Sequence, residues 1–144
     1  MQTAKSKVLF LCTGNSCRSQ MAEGWTRHLL FDWIEPYSAG IEMHGLNPNA
    51  IRVMAEVGVD LSVQASKLVS TLADVPFDLV ITVCGHAAEN CPAYFGTSRV
   101  VHVGFDDPPR LAQAAASEEE GWQHYRRVRD EIRVFVETRL RALL

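Results

Sequence analysis

No apolar run in this 144-residue chain approaches the ~18 residues that a bilayer-spanning helix needs. Residues Met1–Lys7 also lack the apolar core of a signal peptide. A cytoplasmic protein is expected. Positive charge is in short supply too: 14 Lys and Arg face 17 Asp and Glu, giving a formal charge of -3 and an isoelectric point near 5.9. Without a basic stripe, neither nucleic acid nor an anionic membrane is expected as a partner. Repeats, low-complexity tracts and credible linkers are missing. The chain therefore reads as one domain over residues 1–144 with a single core, burying roughly 68 to 70% of its unfolded surface. In a reducing compartment the four cysteines are not expected to be structural staples. The spacings Cys12–Cys17 and Cys84–Cys91, with no convergent spacing among five histidines, argue against zinc, and no metal is expected.

What the chain does have is Cys12-Thr13-Gly14-Asn15-Ser16-Cys17-Arg18-Ser19 directly after the apolar run Val8-Leu9-Phe10-Leu11. A buried strand, a Gly/Asn/Ser turn and a helix beginning near Ser19 arrive in the order that builds an anion pocket. The backbone N–H groups of such a loop and the helix dipole hold a tetrahedral oxyanion. The planar fork of Arg18 can grip two of its oxygens. These surroundings favour a thiolate at Cys12, on the pocket floor, and aim it at the centre of the anion. Ser19 either donates a hydrogen bond to that sulfur or serves only as a first-turn helix residue. Cys17 tunes the loop or merely fills it. A nucleotide P-loop is excluded, since no Lys-Ser or Lys-Thr closes the glycine turn.

Along the chain, strands are predicted at Lys7–Leu11, within Ile34–Ile41, at Asp78–Cys84 and at Arg99–Val103. Helices are predicted at Ser19–Phe31, from Asn47-Pro48 toward Gly58, at Leu68–Ala73, and after the Ser117-x-x-Glu120 capping box. Met21, Trp25, Leu29 and His28 are expected on the inner face of the first helix. The last helix shows Trp122, Tyr125, Val128, Ile132, Phe135 and Leu140 on one face, with an Arg-rich solvated remainder. This alternation predicts an α/β fold, three-layer α/β/α with a four-stranded parallel sheet. Ligands of such sheets bind at the carboxyl ends of the strands. Cys12, Cys84 and Asp106-Asp107 all fall there.

Asp107, fixed by Pro108, is the candidate general acid for a leaving oxygen, and Asp106 is the lesser candidate. The competing reading is an ordinary Asp-Pro turn. Cys84 and Cys91 read as a redox pair, because a hydrolytic thiol enzyme has no use for further thiols. Two buried small hydrophobes are the plainer alternative. His86 and His102 read as hydrogen-bonded structural residues.

Together, Cys12 to Glu23, Ser38-Ala39-Gly40, Cys84 to Cys91-Pro92, Gly104-Phe105-Asp106-Asp107-Pro108 and Arg127-Val128-Arg129-Asp130-Glu131-Ile132 resemble the thioredoxin-coupled arsenate reductases of the low-molecular-weight protein tyrosine phosphatase fold. The resemblance spans nearly the whole chain. It implies arsenate as substrate, held by residues Cys12, Thr13, Gly14, Asn15, Ser16, Cys17 and Arg18, with Asp107 protonating the departing hydroxyl. It implies a relay in which Cys84 attacks Cys12, releasing arsenite, and Cys91 then attacks Cys84. Thioredoxin would reduce the resulting disulfide, and a monomer is expected. Some members of that group hold potassium near the loop through residues matching Asn15, Glu23, Ser38 and an aspartate. Lys67 stands at the aspartate position. Its ammonium is expected to replace the ion and hold Asn15 and Glu23 directly, so no cofactor is expected. The alternative is a solvated surface lysine. Competing functions are a low-molecular-weight tyrosine phosphatase, weakened by Pro109 where an aromatic residue would follow Asp107-Pro108, and a thiol redox sensor without turnover.

Overall fold

Val8, Leu9, Phe10 and Leu11 are fully buried, because the strand they form sits in the interior of the sheet with neighbours on both sides. In the computed structural model, which describes residues 4–85, 87 and 98–144, this strand is β1 (Ser6–Cys12). Helix α1 (Arg18–Leu30) follows, then β2 (Ile34–Gly40), α2 (Pro48–Ala55), β3 (Leu79–Thr82), β4 (Arg99–His102), α3 (Pro108–Gln113) and α4 (Glu118–Thr138). Cys91 and His86 lie outside the described residues.

The sheet is four-stranded, with order β2-β1-β3-β4, and every pairing is parallel. The register pairs Cys12 with Gly40, Leu11 with Thr82 and Thr82 with His102. The carboxyl ends of all four strands therefore share one edge. The three-layer α/β/α fold read from the sequence is the one observed.

Trp25 of α1 is buried against α4, where its indole N–H donates to the Arg129 carbonyl at 3.0 Å. Met21 of α1 and Val128, Ile132 and Phe135 of α4 are buried in the same core. Each such side chain contributes about 1.5 to 3 kcal/mol by leaving water. His28 is exposed, not inward as its spacing suggests, and its ring meets that of Trp25 at a centroid distance of 6.0 Å. Arg129 also departs from the solvated face expected of its neighbours. It is buried and bonds the Val53 carbonyl, Glu56 and Asp130, tying α4 to α2.

The caps follow the sequence closely. Asn47 accepts from the backbone N–H groups of Asn49 and Ala50, and Pro48 takes the first helical position. Ser117 accepts from Glu120 N–H at 3.1 Å, but the returning bond of Glu120 goes to Ala116 N–H. Residues 69–72 form a 3₁₀ turn where a helix was expected. The six residues Leu68 to Ala73 are too short a stretch to propagate α-helical bonds. Among the described residues no helix is long and apolar enough to cross a membrane.

Candidate active site

The anion loop owes its shape to the segment that follows β2. Backbone N–H groups of Ile41, Glu42, His44 and Asn47 donate to the carbonyls of Cys12, Thr13, Gly14 and Ser16, at 3.1, 2.7, 3.0 and 3.0 Å. With these carbonyls occupied by that segment, the N–H groups of the loop are the backbone groups free to serve an oxyanion. Two positions demand special backbone. Asn15 adopts φ 48°, the left-handed region that asparagine tolerates better than most residues. At Gly40 a side chain would collide with the Glu42 carbonyl and the backbone of Thr13 and Asn15.

The cavity, about 310 Å³, is lined by Cys12, Thr13, Gly14, Ser16, Cys17, Arg18, His44, Asn47, Asp107 and Pro109. Cys12 is buried at its floor. A chain of hydrogen bonds reaches its sulfur from behind. Lys67 N–H donates to Asn15 Oδ1 at 2.8 Å, which turns the Asn15 amide nitrogen to Ser19 Oγ at 2.9 Å. The hydroxyl proton of Ser19 is thereby left for Cys12 Sγ, 3.1 Å away. Of the two readings offered by the sequence for Ser19, the geometry places it against the sulfur.

Arg18 donates to the Phe105 carbonyl at 2.9 Å, and its other nitrogen stands 3.7 Å from Asp107. Asp107 occupies the N-cap position of α3, yet its carboxylate makes no capping bond and lines the cavity instead. Asp106 turns away and pairs with Arg127 of α4 at 3.0 Å. Cys84, beyond the end of β3, lies 3.3 Å from the Thr13 hydroxyl, so a second buried thiol meets the loop. Cys17 is buried in the loop itself, and burial, reinforced by Cys12, pushes its thiol well above the ordinary range. His102 hydrogen-bonds Thr82 at 2.9 Å, in keeping with a structural role.

These are the parts of a cysteine-dependent oxyanion enzyme, and residues 7–144 match the family described as low molecular weight phosphotyrosine protein phosphatase. The chain belongs to that family. Among its relatives, the arsenate reductase of Halalkalibacterium halodurans is 52% identical over 138 residues, spanning 93% of this chain and 97% of that protein. The arsenate reductase of Bacillus subtilis is 54% identical over 125 residues, 87% of this chain and 88% of its own. Among solved structures, an arsenate reductase in the phosphate binding state superposes with a TM-score of 0.80 at 33% identity, covering 96% of this chain and 99% of that one. A tyrosine phosphatase of Erwinia amylovora, 18% identical with a TM-score of 0.72, shares the fold.

Within this phosphatase-family fold, one sequence expectation needs correction. The Lys67 ammonium does not hold Asn15; the Lys67 backbone N–H does. The ammonium donates to the carbonyls of Ser38 and Ala65, both at 2.8 Å, and stands 4.0 Å from Glu23. Burial lowers its proton affinity, and the Glu23 charge opposes that effect. Two cavity walls, His44 and Asn47, are not marked for the site by the sequence. Asn47 was legible as a helix cap, while nothing in the spacing marks His44, whose imidazole lies over Gly14 and bonds Glu42 at 2.6 Å.

Proposed function

We propose that this chain reduces arsenate to arsenite by a relay of thiols. The observation that carries the proposal is the Cys84 sulfur held by Thr13 beside the oxyanion loop of Cys12. A hydrolase needs only water at that place. In the first step the Cys12 thiolate attacks arsenic, an As–O bond breaks, and Asp107 gives its proton to the departing hydroxide so that water leaves. Arg18 and the loop N–H groups hold the remaining oxygens as charge builds.

The Cys84 thiolate then attacks the Cys12 sulfur. A sulfur–sulfur bond forms, the sulfur–arsenic bond breaks, and its electron pair reduces arsenic from As(V) to As(III), which leaves as arsenite. Cys91 next attacks Cys84, regenerating the Cys12 thiolate and leaving a Cys84–Cys91 disulfide. A thioredoxin dithiol takes over that disulfide by ordinary exchange. Support for this reading comes from the arsenate reductases that resemble the chain over nearly all its length. The protein acts in the cytoplasm as a monomer, without metal or organic cofactor, and the Lys67 ammonium stands in for a potassium ion.

The deciding experiment is peptide mapping by mass spectrometry after a single arsenate turnover without reductant. A Cys84–Cys91 disulfide is expected, together with loss of thioredoxin-dependent arsenite production in Cys91→Ser. A lone mixed disulfide on Cys12, or unchanged turnover in that variant, overturns the relay.

A further inference from the structure

The segment Arg127 to Ile132 takes no part in the relay, yet its first residue reaches the loop that carries the acid. That loop is held at several points. Phe105 N–H donates to the Val83 carbonyl at 3.2 Å, the Phe105 carbonyl accepts from Arg18, and the Phe105 ring meets Phe135 edge-on at 6.1 Å. Asp106 is held by Arg127 Nη2 at 3.0 Å. The second nitrogen of that guanidinium bonds Glu131 at 2.8 Å, one turn further along α4, which sets the plane of the fork.

Asp107 has extended backbone angles, φ -95° and ψ 100°, and neighbouring side chains on extended chain point to opposite sides. Drawing Asp106 outward to α4 therefore turns Asp107 inward to the cavity. Extended backbone sets the two carboxylates on opposite sides of the loop, and a partner outside the cavity fixes which of them faces Arg18. Arg127 is that partner. A pair this exposed adds little to stability, so its value lies in orientation.

We propose that Arg127 is a positioning residue for the proton donor: by holding Asp106 on the outer side of the loop, it presents Asp107 to the oxyanion cavity. The inference rests on the assignment of Asp107 as the acid.

The test is a set of full-length variants: Arg127→Gln, Arg127→Lys, Asp107→Asn, and Arg127→Gln combined with Asp107→Asn. Thioredoxin-coupled arsenate turnover and p-nitrophenyl phosphate hydrolysis are both measured, and both have a leaving oxygen. Arg127→Gln is expected to lower kcat about tenfold with KM within twofold and an unchanged melting temperature. Arg127→Lys should keep kcat within threefold. In the Asp107→Asn background the Arg127→Gln change should cost nothing further, because the donor it serves is gone.

Wild-type kcat in Arg127→Gln beside a slow Asp107→Asn enzyme overturns the positioning role alone. So does an undiminished tenfold loss in the double variant. Wild-type kcat in Asp107→Asn overturns the acid assignment and the inference with it. If arsenate is not turned over at all, the reductase reading fails, while the comparison on p-nitrophenyl phosphate still decides the role of Arg127.

Discussion

The hydroxyl of Thr13 stands 3.3 Å from the sulfur of Cys84, so the residue after the nucleophile also holds the second thiol of the site. A hydroxyl hydrogen bond steadies negative charge on sulfur and fixes where that sulfur sits while arsenic is bound to Cys12. Loss of one such bond is worth about 1 kcal/mol, roughly fivefold in rate. Thr13→Val keeps the shape and removes the donor. Single-turnover release of arsenite should slow about fivefold, Thr13→Ser should restore most of it, and alkylation of Cys12 should be unaltered. Equal slowing of Cys12 alkylation would show that Thr13 shapes the loop and does not serve Cys84.

Ser19 is the last donor in the chain from Lys67 through Asn15 to Cys12, and its proton has no other acceptor in that chain. A hydrogen bond to a charged group is worth about 1.5 to 3 kcal/mol, roughly 10- to 100-fold in rate. Ser19→Ala should lower kcat by that factor and slow iodoacetate alkylation of Cys12 at pH 7. A normal alkylation rate would remove Ser19 from the support of the nucleophile.

Much of this is legible in the sequence, because it is written in local chemistry. The apolar run before Cys12, Asn47-Pro48 as a helix start and the β-branched run Leu79–Thr82 each specify their own backbone, and the parallel sheet follows from their order. Cys12, Arg18, Cys84 and Asp107 could be placed at one edge of the sheet because parallel strands end there. What stayed hidden depends on contacts across the chain. That Asp106 is held outside the cavity by Arg127, 21 residues away, is one such contact. Arg129 looked solvated because its helical spacing cannot reveal the Val53 carbonyl and Glu56 waiting for it on α2. His44 lines the cavity only because the strand-following segment folds back over Gly14.

Cys17 should make itself felt at alkaline pH. Burial raises its proton affinity far above the ordinary value of 9.0, so the folded chain keeps this thiol protonated where the unfolded chain has lost the proton. Its contribution is fully present below pH 9 and lost as pH rises beyond it, because above that point the folded state binds more protons. The loss amounts to about 1 kcal/mol between pH 9 and 10 and approaches about 1.4 kcal/mol per further unit. Urea unfolding of wild type and Cys17→Ala across pH 7 to 10.5 should therefore converge at the alkaline end, the variant showing the shallower decline. Parallel curves would mean that Cys17 titrates in the folded protein as it does in the unfolded one.

Lys67 offers the final test, because its backbone and its side chain support the loop separately. The backbone bond to Asn15 survives any substitution, whereas the ammonium bonds to Ser38 and Ala65 and the field on Glu23 depend on the charge. Glu23 also accepts from Ser38 Oγ at 2.6 Å and from Arg27 at 2.7 Å. Lys67→Met removes the ammonium donor to the partly buried Ser38 carbonyl, whereas the exposed Ala65 carbonyl keeps its bond from Gln20. The cost is about 1 kcal/mol, or a melting temperature lower by roughly 2 to 4 °C. With the ammonium in place a potassium ion has nothing left to neutralise, and wild-type turnover should be the same in potassium and sodium salts at fixed ionic strength. Severalfold activation by potassium, or a Lys67→Met protein as stable as wild type, would show that the ammonium does not act as the internal cation.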